Sequence, residues 1–222
     1  MLLAEDLLLL LTDDERGTLA APGAQVDVAL GGSQLVELSL AGRVDTDDRQ
    51  RLRVVDASPT GDDLLDRTLV TARAREGRRP SRVVTELGTG VREALYQRLA
   101  AAGYVRAEHG RVLGLFPRTT WPAGSTDHEA AVRRALVAAL VDGTPPQPRE
   151  AALVALLHAL RVLPQVVDPR EHGLRRRDLD RRAKEISEGS WGSTAVRQAI
   201  DASSAAVAAA VAGSVAAATA AT

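Results

Sequence analysis

The 222-residue chain has no cysteine, one methionine, one phenylalanine, two tryptophans and two tyrosines. Without a thiol there is no disulfide, no thiolate nucleophile and no thiolate metal ligand, which excludes stapled secreted scaffolds, cysteine hydrolases and zinc ribbons. So few aromatics leave the core to Leu, Val and Ala, and packing by many small aliphatic contacts suits helices. Lysine is nearly absent too: Lys184 is the only one among 28 basic residues. The formal net charge of -1 gives the molecule no long-range pull on nucleic acid or anionic lipid, so any anion binding must be local. Long apolar runs are also missing. The leucine-rich start ends at Thr12, contains Glu5 and Asp6 and has no basic flank, so it reads as neither a signal peptide nor a span of about 20 residues. The Ala-rich tail from Ala202 to Thr222 is weakly apolar and broken by Ser203, Ser204, Gly213 and Ser214, and reads as a terminal helix packed on the body.

Recognisable catalytic patterns are missing as well. The four histidines, His109, His128, His158 and His172, share no ligand spacing, and no metal or cofactor is expected. His158, in the most apolar segment, reads as a satisfied core histidine. There is no nucleophile elbow and no His-Glu-x-x-His. Gly88-Thr89-Gly90 lacks the third glycine of a dinucleotide loop, and Pro59-Thr60-Gly61-Asp62 lacks the Gly-Lys-Ser/Thr of a phosphate loop. A non-enzymatic protein is the expectation.

What is present is helical punctuation. Residues 2–11 read as a short buried helix. Ser33 and Gly42 bracket a second one as cap and stop, and Arg51 to Asp56 reads as a short strand. Thr60 or Asp62 caps a third helix whose first turn carries Asp62, Asp63 and Asp66, carboxylates that the helix dipole explains without a metal. Gly77 to Ser81 reads as a basic turn, and Val91 to Ala102 as an amphipathic helix stopped by Gly103. Tyr104 to Ala107 and Arg111 to Phe116, joined by Glu108-His109-Gly110, form an expected hairpin. Helices follow over Asp127 to Val141 and Arg149 to Leu163, the latter apolar nearly all round and therefore central; a basic, polar stretch then runs to Gly192. No repeat or dividing linker appears. The reading is mainly α: one domain over residues 1–222, a helical bundle with a central apolar helix and a small β-hairpin.

Two further features stand out. Phe116, Trp121 and Pro122 gather in one proline-punctuated loop, large groups that the rest of the chain does largely without. Arginines cluster at Arg73, Arg75, Arg78, Arg79 and Arg82 and again from Arg170 to Arg182. A helix followed by a hairpin, with Arg92, Arg98 and Arg106, also fits a winged-helix nucleic-acid binder. The neutral charge balance and the packing character of Tyr96 and Leu99 weigh against that alternative.

Five segments occurring in order carry a resemblance: Leu2-Leu3-Ala4-Glu5-Asp6-Leu7-Leu8-Leu9-Leu10, Leu35-Val36-Glu37-Leu38-Ser39-Leu40-Ala41-Gly42-Arg43, Pro59-Thr60-Gly61-Asp62-Asp63-Leu64-Leu65-Asp66, Val91-Arg92-Glu93-Ala94-Leu95 and Leu115-Phe116-Pro117-Arg118-Thr119-Thr120-Trp121-Pro122. Together they resemble the Golgi phosphoprotein 3 family in its bacterial branch. The resemblance implies a mostly α-helical peripheral membrane adaptor, cytoplasmic and on the inner face of the membrane (at the Golgi in eukaryotic relatives). Its basic pocket takes phosphatidylinositol 4-phosphate in eukaryotic members, and a protruding hairpin serves membrane contact or homo-oligomerisation. Residue by residue, Arg92 matches one pocket arginine, while Thr89, Gly31 and Pro22 stand where the family has two further arginines and a tryptophan. The implied partners are anionic phospholipid or phosphoinositide head groups at a membrane surface, not nucleic acid. The implied head-group residues are Arg92, aided by Arg43, Arg82 and Arg118, with Phe116, Trp121 and Pro122 on the hairpin.

Overall fold

The computed structural model describes residues 1–112, 115–189 and 192–220. Among them the chain is mainly helical. In order come α1 (Leu3–Leu10), α2 (Gly23–Leu40), β1 (Val44–Thr46), β2 (Leu52–Val54), α3 (Asp63–Ala74), α4 (Pro80–Leu87), α5 (Val91–Ala101), β3 (Glu108–Val112), β4 (Phe116–Thr120), α6 (Asp127–Leu140), α7 (Pro148–Ala159), α8 (Leu163–Val166), a 3-10 turn (Pro169–His172), α9 (Arg176–Glu188) and α10 (Thr194–Ala220). β1 pairs with β2 and β3 with β4, each pair antiparallel. No described helix is long and apolar enough to cross a membrane.

Helices α1, α2 and α7 form the centre. Residues 151–157 of α7 are all buried, as expected of an element with no polar face. Its start is fixed by a capping box, in which the Glu150 carboxylate accepts from the Gln147 N–H at 2.8 Å. α2 reaches its neighbours through two adjacent glycines. A Cβ at Gly31 would overlap the Val84 carbonyl of α4, and one at Gly32 would press on Ser203 of α10. Ser203 Oγ bonds the Gly32 carbonyl at 3.2 Å, so α10 lies along α2 almost in backbone contact. Here glycine is needed for close approach, not for a turn.

The sequence reading needs correction at four places. Ser33 is no cap: it lies inside α2, fully buried, its hydroxyl returned to the Leu30 carbonyl at 2.7 Å. Gly31 and Gly32, which that cap would have left outside the helix, are the helix–helix contacts themselves. The basic turn at 77–81 leads directly into α4, which opens on Pro80, and the polar stretch before Gly192 holds α9, helical on the strength of Leu179, Ala183 and Ile186. The hairpin is displaced along the chain: Glu108 pairs with Thr120, Gly110 with Arg118 and Val112 with Phe116. Glu108, His109, Arg111, Arg118 and Thr119 are all exposed, so among the described side chains this arm shows no buried face, and its sequence has no apolar alternation to read. Tyr104 and Val105, expected in its first strand, stand at its foot, where Val105 bridges Ala123.

Candidate functional site

The aromatic cluster forms an internal brace. Trp121 is 5% exposed, and its indole stacks on Tyr96 of α5 with ring centres 4.8 Å apart and planes 4° from parallel. The Tyr96 hydroxyl shares a 2.8 Å hydrogen bond with Thr12 Oγ1, and burial pushes its phenol up from the usual value against the opposing effect of that bond. The Trp121 N–H donates to the Gly17 carbonyl at 3.0 Å; Gly17 has φ +59° and lies so close to the Trp121–Pro122 backbone that a Cβ would overlap it. Trp121 and Pro122 are both buried, which overturns the expectation that they project outward. The indole anchors the foot of the β3–β4 arm to the 12–20 loop. Leu115, at the far end of the arm, is the exposed apolar group, 77% accessible. The Phe116 backbone belongs to β4, but its side chain lies outside the described residues.

Beside this brace lies a cleft of about 490 Å³ lined by Gly17, Gly23, Arg92, Tyr96, Arg118 and Trp121 among others. Its floor is the start of the 18-residue α2. Pro22 offers no side-chain acceptor there, and no acidic residue occupies the first turn, so the positive end of the helix dipole is uncompensated. The Arg92 guanidinium from α5 lies directly over Gly23, where any Cβ would displace it. Arg118 reaches the same cleft from β4 and makes no ion pair among the described residues. Arg92 Nε meets Asp27 Oδ1 at 3.2 Å, both side chains 34% exposed. Burial raises the Asp27 carboxyl above its ordinary value, with Arg92 pulling the other way. This arrangement of two guanidinium groups and the Gly23 and Ala24 amides suits a phosphate or carboxylate.

The other two arginines of the expected set lie outside the cleft. Arg43 is bound to the Asp56 carboxylate and to the Ser58 and Pro59 carbonyls at 3.1 and 3.2 Å, which fixes the turn before α3. Arg82 is exposed on α4. Reasoning from sequence missed Gly23 and Asp27, which meet Arg92 only through the α2–α5 packing. The α2–α4 packing closes the Gly31 position: Gly31 and Gly88 hold α2 against the end of α4 at backbone contact, leaving no room for an arginine.

A second arginine on α5 has a different setting. Arg98 bonds Glu5 at 3.0 Å and Asp62 at 2.8 Å. Asp62 also accepts from the Leu64 and Leu65 amides at the start of α3. Nearby, Arg149 joins Asp6 (3.0 Å) and Glu37 (2.9 Å), and His128 Nε2 lies 2.7 Å from the other Asp6 oxygen. Glu5 and Asp6 are almost fully buried, so these partners satisfy carboxylates that would otherwise be stranded. Arg98 is thus engaged inside the protein, and Tyr96 and Leu99 of the same helix lie in the core.

A sequence model of Golgi phosphoprotein 3 (GPP34) matches residues 3–203. The chain is also similar to the vacuolar protein sorting-associated protein 74 of Eremothecium gossypii, 31% identical over 165 residues. That match takes in 63% of this chain and 49% of the relative, so the chain is aligned with about half of that protein's length.

Proposed function

The chain belongs to the Golgi phosphoprotein 3 (GPP34) family, and from that premise we propose that it is a non-enzymatic peripheral membrane adaptor, a single family domain that binds anionic phospholipid head groups in the cleft at the start of α2. The observation that carries this reading is the convergence of Arg92 and Arg118 on the uncompensated N-terminus of α2. Arg92 lies on the bound head group, Arg118 closes over it from the arm, and the Gly23 and Ala24 amides complete the acceptor site. With two arginines the cleft holds a single phosphate or carboxylate group, so general anionic lipid recognition fits it better than strict selectivity for phosphatidylinositol 4-phosphate.

One charged contact contributes about 1.5–3 kcal/mol, too little for stable membrane residence, so a second anchor is required. The β3–β4 arm supplies it: Leu115 stands exposed at its end, on the strand pair that also carries Arg118. The same tip serves self-association when it meets a second copy in place of a bilayer. Location at the cytoplasmic face of a membrane follows from this reading.

Liposome flotation is the test. Vesicles containing phosphatidylserine or phosphatidylinositol 4-phosphate are expected to carry the protein upward, less so as salt rises, while neutral vesicles are not. Arg92→Ala combined with Arg118→Ala should abolish recovery in a folded protein. Equal failure to float with anionic and neutral vesicles overturns the reading.

A further inference from the structure

On the side of the molecule formed by the C-terminal half of the chain, α9 and α10 both pack on α7, far more extensively than on each other. The gap between them is a groove of about 600 Å³ whose lining includes His158, Arg161, Leu163, Arg176, Asp180 and Ser204. None of these residues lines the cleft at the start of α2. Small side chains keep it open: Ala155 and Ala159 on its floor, Ala205 and Ala208 along its α10 wall.

Two polar groups in the groove lack partners. Ser204 Oγ is shielded from solvent and has no hydrogen bond. The His158 imidazole, expected as a satisfied core histidine, is only half-buried, faces the groove and makes no side-chain hydrogen bond among the described residues. Native proteins satisfy more than nine in ten buried polar groups, so the open Ser204 hydroxyl marks a place where something else supplies the bond, and the half-buried His158 ring lies beside it in the same lining.

The mouth of the groove adds a third observation. Arg161 follows α7 at φ 61°, the left-handed position where a helix normally ends in glycine. Its N–H donates to the His158 carbonyl at 2.9 Å and the Val162 N–H to the Leu157 carbonyl at 3.1 Å, a complete Schellman ending. An arginine here carries a backbone strain that glycine would not. Its guanidinium has no carboxylate partner among the described residues, and neither has that of Arg176, across the groove on α9. Asp180 is the one acid in the lining, so the charge balance of the rim is positive.

We infer that this groove is a second binding site, for a soluble anionic amphiphile: a short hydrocarbon body lying on the alanines and Leu163, with a carboxylate or phosphate head held by Arg161 and Arg176 and hydrogen-bonded by His158 and Ser204. The volume falls in the range of small-molecule sites, and an apolar floor with a few convergent polar groups is their usual make-up. The strained Arg161 gives a head-group cation at a position where fold stability alone favours glycine.

The test is isothermal titration calorimetry of the full chain with decanoate, decyl phosphate and decanol, each below its micellar concentration. Both anions are expected to bind saturably, and decanol about tenfold more weakly or worse. Ala208→Trp, which fills the groove from an exposed position, should abolish binding. Arg161→Gly should weaken it about tenfold while raising Tm by a few degrees, a pairing that a purely structural arginine would not produce. Arg92→Ala should leave it unchanged, which separates this site from the proposed head-group cleft. No saturable heat with either anion, equal binding of decanol, or undiminished binding in both groove variants overturns the inference. So does loss of decanoate binding on Arg92→Ala, or a groove variant that loses anionic-vesicle flotation when the wild type shows no decanoate heat.

Discussion

Arg92 and Arg98 belong to the same helix, yet they are different kinds of residue. Arg98 lies between Glu5, which is nearly inaccessible, and Asp62, the cap of α3, so its charge neutralises carboxylates that the fold has removed from water. Arg92 has one partially exposed partner, Asp27, and otherwise looks onto a cleft over an uncapped helix end. The difference teaches that the availability of a cation is set by the acids that the tertiary structure brings to it. Neither the residue type nor its place on a helix face decides it.

The contrast can be tested from the structural side first. Trp121→Ala removes a buried indole from the brace and should cost about 3–5 kcal/mol in urea unfolding. Retained stability would show that the brace is not part of the core. Arg149→Met strands Asp6 and Glu37. About 3 kcal/mol is expected, the low end for a broken buried pair because Arg149 itself is 32% exposed. Asp62→Ala should cost about 1 kcal/mol through the lost cap, measured by the same unfolding curves.

Asp62 also carries a pH signature. Burial alone would raise its carboxyl, but the Arg98 hydrogen bond and the Leu65 and Leu64 amides outweigh it and hold the group below the ordinary 3.8. The native state therefore binds fewer protons than the unfolded one in that window. The stabilisation is complete above 3.8 and lost as pH falls through the depressed value, and Asp62→Ala should flatten that acid limb of the stability curve. The smallest stability effect belongs to the binding side. Arg92→Ala should change unfolding by no more than about 0.5 kcal/mol while flotation falls, and Asp27→Asn should strengthen flotation by releasing Arg92. A large stability loss on Arg92→Ala would erase the distinction between the two arginines.

Much of the fold was legible because local rules agreed with tertiary ones. Asp62 caps α3, α5 spans its amphipathic stretch, α6 runs from Asp127 to Leu140, and the uniformly apolar α7 is central, as patterning required. Legibility failed where a residue's usual meaning was inverted by packing. Ser33 read as a cap, which left Gly31 and Gly32 outside the helix, but both glycines proved to be contact points inside α2. Trp121 read as exposed because turn-forming residues flank it, but a foot-of-hairpin position covered by Tyr96 cannot be seen from neighbours in sequence. For the site, four arginines were expected, and one cleft brings only Arg92 and Arg118 together, with Arg82 exposed on α4 outside it. The resemblance also named Arg43, whose partners Asp56, Ser58 and Pro59 lie only a short loop away and make it a structural residue.

The bond between Ser203 and Gly32 ties residues 171 positions apart, and α10 covers more of α2 than any other element does. During synthesis the glycine face of α2 must therefore wait, uncovered, until α10 has left the ribosome. A nascent chain halted before residue 194 would present that face to chaperones or to other unfinished copies, and quality control of this protein would depend on the completion of α10.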